Sequence, residues 1–400
     1  MERQEHNQGE PAFFRPWPAH RARLRAAFRS AVTLGTDRTM ITEVARGVRI
    51  PGGKPSSRMR RIALMVLSTA LSIAVGALLF EGIARIAFDD GMDFDLEMWK
   101  YARDLKRVSA NPAIAHEHRP NTGGVYMGVP VQINSIGLRD RELAAGGKPV
   151  GRVRTVMLGD SLTFGWGVRA EDTPSRQLEA LLNGTSAPDP RYEVINTGVG
   201  NYNTPMEVAY FVTEGYKFDP DVVVLNYFIN DAEPTPYRKQ SWLGEHSAAY
   251  VVFASAIDKV SRILLGRADW KTYYRDLYEP EEPGWQQAKA SIHRLASFCR
   301  ERGYKLILVS YPELHDLKDY PFPEVTGAVE RIAFSEHIPF LDLRPSVMDL
   351  APDTLWVSPS DAHPNRIANE RFSKAMADVL TETYPELFGM SASVATENSQ

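Results

Sequence analysis

Residues 156–165 read VMLGDSLTFG. This stretch begins with apolar residues that are typical of a strand, breaks at Gly159-Asp160-Ser161, and is followed by a helical pattern near Thr173. An apolar strand, a tight turn and a hydroxyl group favour Ser161 as a nucleophile at the C-terminal end of a parallel strand, where open α/β sheets bind ligands. Gly-Asp-Ser is also common in ordinary turns. The interpretation therefore requires a base, an orienting acid and oxyanion donors from elsewhere in the chain.

The chain downstream of Arg152 alternates short apolar segments with helical patterns. These segments are rich in β-branched residues, and their alternation with helices is typical of βαβ units in a parallel sheet that is covered on both faces. The predicted strands are Arg154–Leu158, Tyr192–Asn196, Val222–Asn226, Lys305–Ser310 and Pro339–Leu341. A final helix is predicted from Pro364 to Leu380. We therefore expect an α/β fold.

Two helix starts are marked by a threonine that is followed by a proline. Thr173-Pro174 and Thr204-Pro205 each place a cap before a proline at the first helical position, and Glu207 would complete a capping box. Each helix follows a polar loop that leaves a strand. We therefore expect the amides of both helix starts to face the same edge of the sheet.

An apolar run near the N-terminus predicts a membrane anchor. Ile62–Phe80 contains nineteen residues without a charge, which span roughly 28 Å as a helix and approach the ~30 Å thickness of a bilayer core. A buried core helix is one alternative, but core helices rarely run this long without a polar face. A cleavable signal peptide is the stronger alternative, but this run exceeds the usual apolar length of 7–15 residues and no clean small-x-small site follows it.

The charge of the chain is divided between its ends. Residues 1–61 hold thirteen Lys/Arg and five Asp/Glu, a net charge of +8, so the remainder carries −12. The positive-inside rule places the N-terminus in the cytoplasm and the body outside, as expected for a single-pass protein of the inner membrane with a periplasmic domain. An acidic body argues against nucleic acid as a partner.

The sequence predicts five parts. They are a basic, mostly disordered cytoplasmic tail (1–61), a transmembrane anchor helix (62–88), a connecting region with a short hairpin (89–150), a catalytic α/β domain with an insertion at 232–285 (151–388), and a disordered tail (389–400). The insertion is rich in tyrosine and tryptophan and directly follows a polar loop. It could therefore overhang the active edge, although an ordinary packed subdomain is an equally good interpretation.

Several kinds of chemistry are not indicated. No GxGxxG or GxxxxGK[ST] loop is present, so we expect no nucleotide. No group of residues has metal-ligand spacing, and the proposed chemistry needs neither a metal nor a cofactor. The single cysteine, Cys299, excludes an internal disulfide and lies in a helical pattern, where a buried thiol is the ordinary expectation.

Polar residues follow four of the segments at the predicted active edge. They are Asp160-Ser161, the loop from Asn196 to Asn203, Asn230-Asp231, and Ser360 to His363. His363 is the histidine of the nine that lies in a loop before the last predicted helix, and its neighbour Asp361 can fix the imidazole tautomer. The Ser161 amide, the Asn230 side chain and an amide of the Asn196 loop are candidate oxyanion donors. Plain turns and helix-entry chemistry remain the alternatives for these loops.

These ordered blocks resemble the SGNH (GDSL-type) hydrolase superfamily. The resemblance extends over about residues 118–383 and includes Gly159-Asp160-Ser161, Asn196, Asn230-Asp231 and the late Asp361/His363 pair. It implies a flavodoxin-like, three-layer α/β/α fold. It also implies Ser161 as nucleophile, His363 as base, Asp361 as orienting acid and Asn230 as oxyanion donor.

The chain departs from the family pattern at two positions. The second block usually has a glycine five residues after its leading asparagine, but Asn201 occupies that position here and Gly200 precedes it, so either amide could be the donor. Most of these hydrolases place aspartate three residues before histidine, where this chain has Ser360. The Asp361-x-His363 spacing is similar to that of the polysaccharide O-acetyltransferase branch.

Three functions are compatible with these features. The first is an anchored serine esterase that hydrolyses O-acyl esters. Its expected substrate is an O-acetyl group of an extracytoplasmic glycan. The second is a polysaccharide O-acetyltransferase that uses the same triad and passes the acyl group to a sugar hydroxyl. The third is an anchored, non-catalytic binding component. The presence of serine, histidine, aspartate and asparagine together argues against the third.

Overall fold

The computed structural model describes residues 56–143, 147–184, 191–235, 241–264 and 269–389. The two predicted disordered tails lie largely outside these ranges, as does Tyr237 of the aromatic insertion. The chain forms two compact units, residues 1–72 and 73–400. The described part of the first unit is the beginning of a helix.

The predicted anchor is helical and begins earlier than the apolar run. Helix α1 covers Ser57–Ile83, has no buried residues, and continues into a π-helical turn at Ala84–Phe88. The helix is long and apolar enough to cross a membrane, with a mean hydropathy of 2.4 in its most apolar window. Signal sequences near an N-terminus can also meet this criterion of length and composition.

The connecting region folds into one helix and two small antiparallel pairs. Helix α2 (Phe94–Leu105) is capped by Asp93, whose side chain accepts a hydrogen bond from the amide of Leu96. Strands β1 (Lys106–Val108) and β2 (His116–His118) pair with each other, as do β3 (Gly123–Tyr126) and β4 (Val129–Gln132). The second pair is the predicted hairpin. Its two turn residues, Met127 and Gly128, both have positive φ, as a tight two-residue hairpin requires.

The central sheet contains the five predicted strands. They are β5 (Val153–Leu158), β6 (Tyr192–Asn196), β7 (Val222–Tyr227), β8 (Lys305–Ser310) and β9 (Phe340–Asp342), so β9 lies one residue later than expected. All neighbouring strands are parallel, and their order is β6-β5-β7-β8-β9. This is the order of flavodoxin-like doubly wound sheets, whose ligands bind at the carboxyl ends of the strands.

Helices cover both faces of the sheet. Short 3-10 helices aside, the remaining helices are α3 (Ser161–Phe164), α4 (Pro174–Asn183), α5 (Thr204–Thr213), α6 (Trp242–His246), α7 (Ala248–Leu264), α8 (Trp270–Asp276), α9 (Pro283–Arg302), α10 (Pro323–Ser335), α11 (Arg366–Thr383) and α12 (Pro385–Phe388). Strands β10 (Trp356–Ser358) and β11 (Asp361–Pro364) precede α11. Val223 and Leu225 of β7 pack with α5, α9 and α10, whereas Val222 and Val224 pack with α4 and α11. The alternation of side chains along each strand therefore produces the predicted three layers.

Two helix starts differ from their predicted positions. Asn203, not Thr204, caps α5 by accepting a hydrogen bond from the amide of Met206, and asparagine is the stronger cap. Within the described part of the chain, both carboxylate oxygens of Glu207 are buried without a hydrogen-bond partner, so the predicted capping box is wrong. Helix α11 begins at Arg366, not at Pro364, because Pro364 pairs with Trp356 in the β10–β11 ribbon.

The predicted environment of the cysteine is confirmed. Cys299 lies in α9, is buried in the core between α9 and the sheet, and is a free thiol. Burial raises the pKa of this thiol to about 12. A thiol with such a pKa is almost fully protonated at neutral pH, and it is therefore a poor nucleophile.

Candidate active site

Ser161 lies at the carboxyl end of β5, in the turn that opens α3. Asp160 caps this short helix, with Oδ1 accepting a hydrogen bond from the amide of Leu162 at 2.9 Å. Gly159 permits the tight turn, because a Cβ at that position would lie 2.0 Å from Oγ1 of Thr163. The glycine and the aspartate therefore shape the turn that presents the serine.

His363 contacts Ser161 and Asp361 through opposite ring nitrogens. Its Nε2 lies 2.9 Å from Oγ of Ser161, and its Nδ1 lies 2.6 Å from Oδ1 of Asp361. The backbone amide of His363 donates to the same carboxylate oxygen at 3.0 Å, and the indole of Trp166 donates to the other at 2.9 Å. The ribbon of β10 and β11 thus brings together side chains that are 202 positions apart in the sequence. A carboxylate held in this way can orient an imidazole as a base for the hydroxyl.

Asp361 is held in its ionised form by these donors. Burial opposes ionisation of the carboxyl group, but hydrogen bonds and charge from His363, with a further bond from Trp166, outweigh burial and lower the pKa of Asp361 below its usual 3.8. Trp166 was not predicted as a site residue, because it follows Ser161 by five residues at a position where no local pattern identifies a partner for a distant aspartate.

Asp160 connects the serine turn to the loop after β7. Asn230 lies in a 3-10 turn at Ile229–Ala232, and its Nδ2 donates to Oδ2 of Asp160 at 3.0 Å. Burial raises the pKa of Asp160 despite hydrogen bonds from Leu162 and Asn230. Asp231 is also buried, and its Oδ2 accepts a hydrogen bond from the amide of Phe228 at 2.7 Å. Asp231 therefore shapes the turn that carries Asn230.

Asn196 fastens the second polar loop to the serine turn. Its Nδ2 donates to the carbonyl of Thr163 at 2.8 Å, and its Oδ1 accepts from the amide of Gly198 at 2.9 Å. The loop lies so close to the turn that a Cβ on Gly198 would be 2.2 Å from the backbone nitrogen of Phe164. The position of this loop is thus fixed relative to Ser161.

Gly200 and Asn201 are held by side chains from the connecting region. The Gly200 amide donates to the hydroxyl of Tyr101 at 3.0 Å, and its carbonyl accepts from Nζ of Lys106. Lys106 also donates to Oδ1 of Asn201 at 3.0 Å, and His116 contacts the Gly200 carbonyl at 3.1 Å. Asn201 has a φ of +64°, which asparagine tolerates better than most residues. Among the described residues, no hydrogen-bond partner accepts from the Asn201 amide.

The contacts from the connecting region form a buried polar cluster. Burial lowers the pKa of Lys106 to about 7. Burial and the neighbouring Lys106 lower the pKa values of His116 and His118 to about 3, so both imidazoles are neutral. Nε2 of His118 lies 2.6 Å from the Tyr101 hydroxyl, and this contact fixes the tyrosine against the loop. This cluster was not predicted, because its members are brought to the site by tertiary structure.

Two cavities flank the turn that carries Ser161. The larger, about 990 Å³, is lined by Asn201, Asn230 and polar side chains of α2 and β1, and it also reaches Glu245 and His246 of the insertion. The smaller, about 250 Å³, is lined by His363, Asp361, Phe94, Phe228 and neighbouring residues. The insertion therefore lines the larger cavity with polar side chains. Its described tryptophans and tyrosines line neither cavity, and Trp270 and Tyr274 pack against Phe322 instead.

Two further histidines have carboxylate partners that local sequence patterns do not indicate. Nδ1 of His293 lies 2.6 Å from Glu336 on the surface, and His315 contacts Glu313. Neither pair is hydrogen-bonded to Ser161. Within the described ranges, no group of three or more His, Cys, Asp or Glu side chains is arranged to hold a metal ion.

Comparisons with known proteins relate this site to a family. The model described as "GDSL-like Lipase/Acylhydrolase family" matches residues 157–371. Similar solved structures include a catalytic mutant of Axe2, an acetylxylan esterase from Geobacillus stearothermophilus (15% identity, 61% of this chain and 98% of that chain covered, TM-score 0.38). Another is the acetyl xylan esterase AlAXEase (15% identity, 57% of this chain and 100% of that chain covered, TM-score 0.37). A third is a two-domain esterase active on acetylated mannans (14% identity, 60% of this chain and 51% of that chain covered, TM-score 0.38). No curated protein matches the chain significantly.

Proposed function

Because the chain belongs to the GDSL-like lipase/acylhydrolase family, we propose that it is a serine esterase. In this proposal the enzyme is anchored in the membrane and removes O-acyl groups, chiefly O-acetyl groups, from an extracytoplasmic glycan. The observation that carries the proposal is the unbroken hydrogen-bond chain from Ser161 through His363 to Asp361. The nucleophile lies within hydrogen-bonding distance of the base, and the base lies within hydrogen-bonding distance of the orienting acid, as acyl transfer requires.

The reaction begins when Ser161 Oγ attacks the ester carbonyl while His363 Nε2 accepts its proton. The Asp361 carboxylate stabilises the imidazolium that forms and keeps Nδ1–H in place. The tetrahedral intermediate then breaks the bond to the alcohol, which leaves with the proton from His363. Water then attacks the acyl-enzyme while His363 Nε2 accepts a proton from it. His363 returns this proton to Ser161 Oγ as the acid is released, and the Ser161 hydroxyl is restored.

The oxyanion is assigned to three donors. They are the amide of Ser161, the amide of Asn201 and Nδ2 of Asn230, which keeps a second hydrogen beside the one given to Asp160. Gly200 is not assigned this role, because its amide already donates to Tyr101. Loss of one such donor typically costs about 2.7–4 kcal/mol in the transition state.

The larger cavity supports a glycan as the substrate. Its lining includes charged and amide side chains, among them Arg103, Arg107, Asn203 and Glu233, which can form hydrogen bonds with the hydroxyl groups of a saccharide. A volume of about 990 Å³ is in the range of small-molecule sites. The apolar helix α1 and the basic sequence before it support placing the domain outside the cytoplasmic membrane.

Hydrolysis of a chromogenic acetyl ester by the full chain in detergent tests this proposal. Ser161→Ala should lower kcat by several orders of magnitude, because the residual rate rests on binding and oxyanion donors alone. Ser335→Ala, in which the lost hydroxyl bonds only a carbonyl of its own helix, is the matched control and should keep full activity. Undiminished turnover by Ser161→Ala would exclude Ser161 as the nucleophile.

The spacing of Asp361 and His363 favours a second candidate, an O-acetyltransferase. Here a sugar hydroxyl takes the place of water and receives the acyl group from Ser161. Time-resolved product analysis with a glycan acceptor separates the two functions. Acetylated glycan should increase with acceptor concentration if transfer occurs, and free acetate alone at every concentration would exclude transfer.

A further inference from the structure

Helix α7 carries an exposed apolar stripe on the side away from the domain. Tyr250, Phe253, Ile257 and Val260 recur at helical spacing and are 40%, 56%, 51% and 52% exposed. Trp242 and Leu243 of the preceding helix α6 are 71% and 50% exposed. We call these six residues the apolar face. A cluster of large apolar side chains exposed at helical spacing is typical of an interaction site.

The other side of α7 is firmly packed. Ala248 and Ala249 are buried against Ala84, Leu96 and Trp99. Ser255 donates a hydrogen bond to Asp95 of α2. The helix is therefore held with its apolar stripe outward, and the stripe is not an accident of a loosely attached segment.

The beginning of α7 is tied to the end of the long apolar helix. The Glu81 carboxylate accepts hydrogen bonds from the amides of Ala248 and Ala249 at 3.1 and 3.0 Å, and from the hydroxyl of Ser247 at 2.7 Å. Arg85 donates to the carbonyl of His246 at 3.2 Å. Glu81 is the first charged residue after the run that ends at Phe80. These bonds fix the start of α7 at the level where the apolar run ends.

We infer that the apolar face lies in the interfacial layer of the same bilayer that α1 spans. The inference rests on the membrane anchor in the proposed function. If the nineteen uncharged residues cross a core of ~30 Å, Glu81 lies at the headgroups, and so does the start of α7. A helix with one apolar stripe at that depth lies in the plane of the interface, and tryptophan and tyrosine are the aromatic residues that prefer this layer.

The lipid surface is favoured over a protein partner by this continuity. A partner would have to cover a stripe that begins beside the membrane, whereas the bilayer already lies there. The apolar face would give the domain a second membrane contact and would restrict its rotation about α1. The active site would then be held at one orientation to the membrane surface.

Depth-dependent fluorescence of the full chain in phosphatidylcholine vesicles tests the inference. Cys299→Ala removes the single cysteine, and an environment-sensitive dye is then attached to Phe253→Cys or Ile257→Cys. Lipids with a quencher near the headgroup should extinguish both dyes, and the emission of both should be shifted to the blue. Phe334→Cys is the matched control, because Phe334 is also an exposed phenylalanine (81%) but lies on α10, outside the apolar face. We expect no quenching of a dye at this position.

A dye at Leu71→Cys, within the apolar run, separates failure of the inference from failure of the anchor. Quenching at position 71 by lipids with a deep quencher, without quenching at 253 and 257, would overturn the interfacial placement and leave the anchor intact. Absence of quenching at all three positions would overturn both. A blue shift at 253 without lipid quenching would identify a protein contact, a second copy included, and would equally overturn the inference.

Discussion

Asp361 is the residue whose surroundings are most specific to the proposed chemistry. Its carboxylate accepts hydrogen bonds from the backbone amide and Nδ1 of His363 and from the Trp166 indole. Asp361→Asn removes the charge that stabilises the imidazolium and permits the wrong tautomer. We expect kcat on an acetyl ester to fall by roughly 10²–10⁴-fold with little change in stability.

The control for this variant is Asp349→Asn, which removes an aspartate that pairs with Arg371 on the surface. It should leave kcat unchanged. Equal activity of the two variants would show that Asp361 does not orient the base. Because the pKa of Asp361 is lowered, its charge persists at every pH above the ordinary carboxyl range and is lost only as the pH falls below that range.

Because Lys106 is buried, we expect the free energy of unfolding to depend on pH. Its pKa is about 7 in the folded chain against an ordinary 10.5, because burial disfavours the charge. Between these values the unfolded chain binds one proton more than the folded chain, so the free energy of unfolding rises with pH by up to about 1.4 kcal/mol per unit. His116 and His118 stay neutral over this range in the folded protein.

Lys106→Met removes this contribution. Urea unfolding in detergent at pH 7, 8 and 9 should therefore show the wild-type chain gaining stability relative to the variant as the pH rises. Lys318→Met, which removes an exposed lysine from the surface, is the matched control and should keep the pH dependence of the wild type. A difference between the wild type and Lys106→Met that is independent of pH would contradict the buried position of the Lys106 ammonium group.

Site residues that belong to a local sequence pattern were predicted from the sequence. Site residues without such a pattern were not predicted. Ser161 follows an apolar strand, and Asp361 and His363 are two positions apart, so each carries a local signal. Tyr101, Lys106 and Trp166 contact the site only through tertiary structure.

Among the elements around the site, the loop after β6 is held by close backbone packing. Gly198→Ala would place a Cβ 2.2 Å from the nitrogen of Phe164 and 2.7 Å from the carbonyl carbon of Thr163, and neither backbone atom can move freely. Overpacking of this kind costs about 1–3 kcal/mol. We expect a lower melting temperature and a lower kcat, because the loop carries the proposed Asn201 donor.

Gly327→Ala is the matched control for the loop variant. Gly327 lies within α10, and the nearest atom to its Cβ would be the flexible guanidinium of Arg331 at 3.4 Å. Alanine is favoured over glycine in a helix by roughly 0.5–1 kcal/mol, so this variant should be as stable as the wild type or slightly more stable. Equal effects of the two substitutions would contradict the close approach at Gly198.

The first residues of the helices were harder to predict, because neighbouring residues compete to cap a helix or to pair in a strand. Thr173 caps α4 as predicted, but Asn203 displaces Thr204 as the cap of α5 because a better capping residue stands one position earlier. The predicted start of α11 was wrong by two residues, since Pro364 is drawn into the β10–β11 ribbon. Short elements of this kind depend on pairing with distant residues, which local patterns do not reveal.

For the molecule as a whole, the strands were predictable and their order was not. Apolar, β-branched segments marked all five strands of the central sheet, because both faces of a parallel sheet are buried. The order β6-β5-β7-β8-β9 places the first strand between two later ones, and only the family resemblance implied it. The packing of α7 against α2 and the tie to Glu81 had no signal in the sequence.

The proposed anchor makes a prediction about the whole chain. Membranes from cells that produce it should retain the protein after extraction with alkaline carbonate, because a spanning helix is released only by detergent. Protease added to spheroplasts should digest the catalytic domain if it lies outside the membrane. Recovery of the domain in the soluble fraction, with residues 62–88 missing, would show that the apolar helix is a cleaved signal sequence.

Labelling of the folded full chain with a fluorophosphonate, followed by mass spectrometry of the adduct, decides whether Ser161 is the nucleophile. We expect one adduct, on the peptide that contains Ser161, and its loss in Ser161→Ala but not in Ser335→Ala. An unlabelled wild-type chain, or an adduct on another residue that persists in Ser161→Ala, would contradict the assignment.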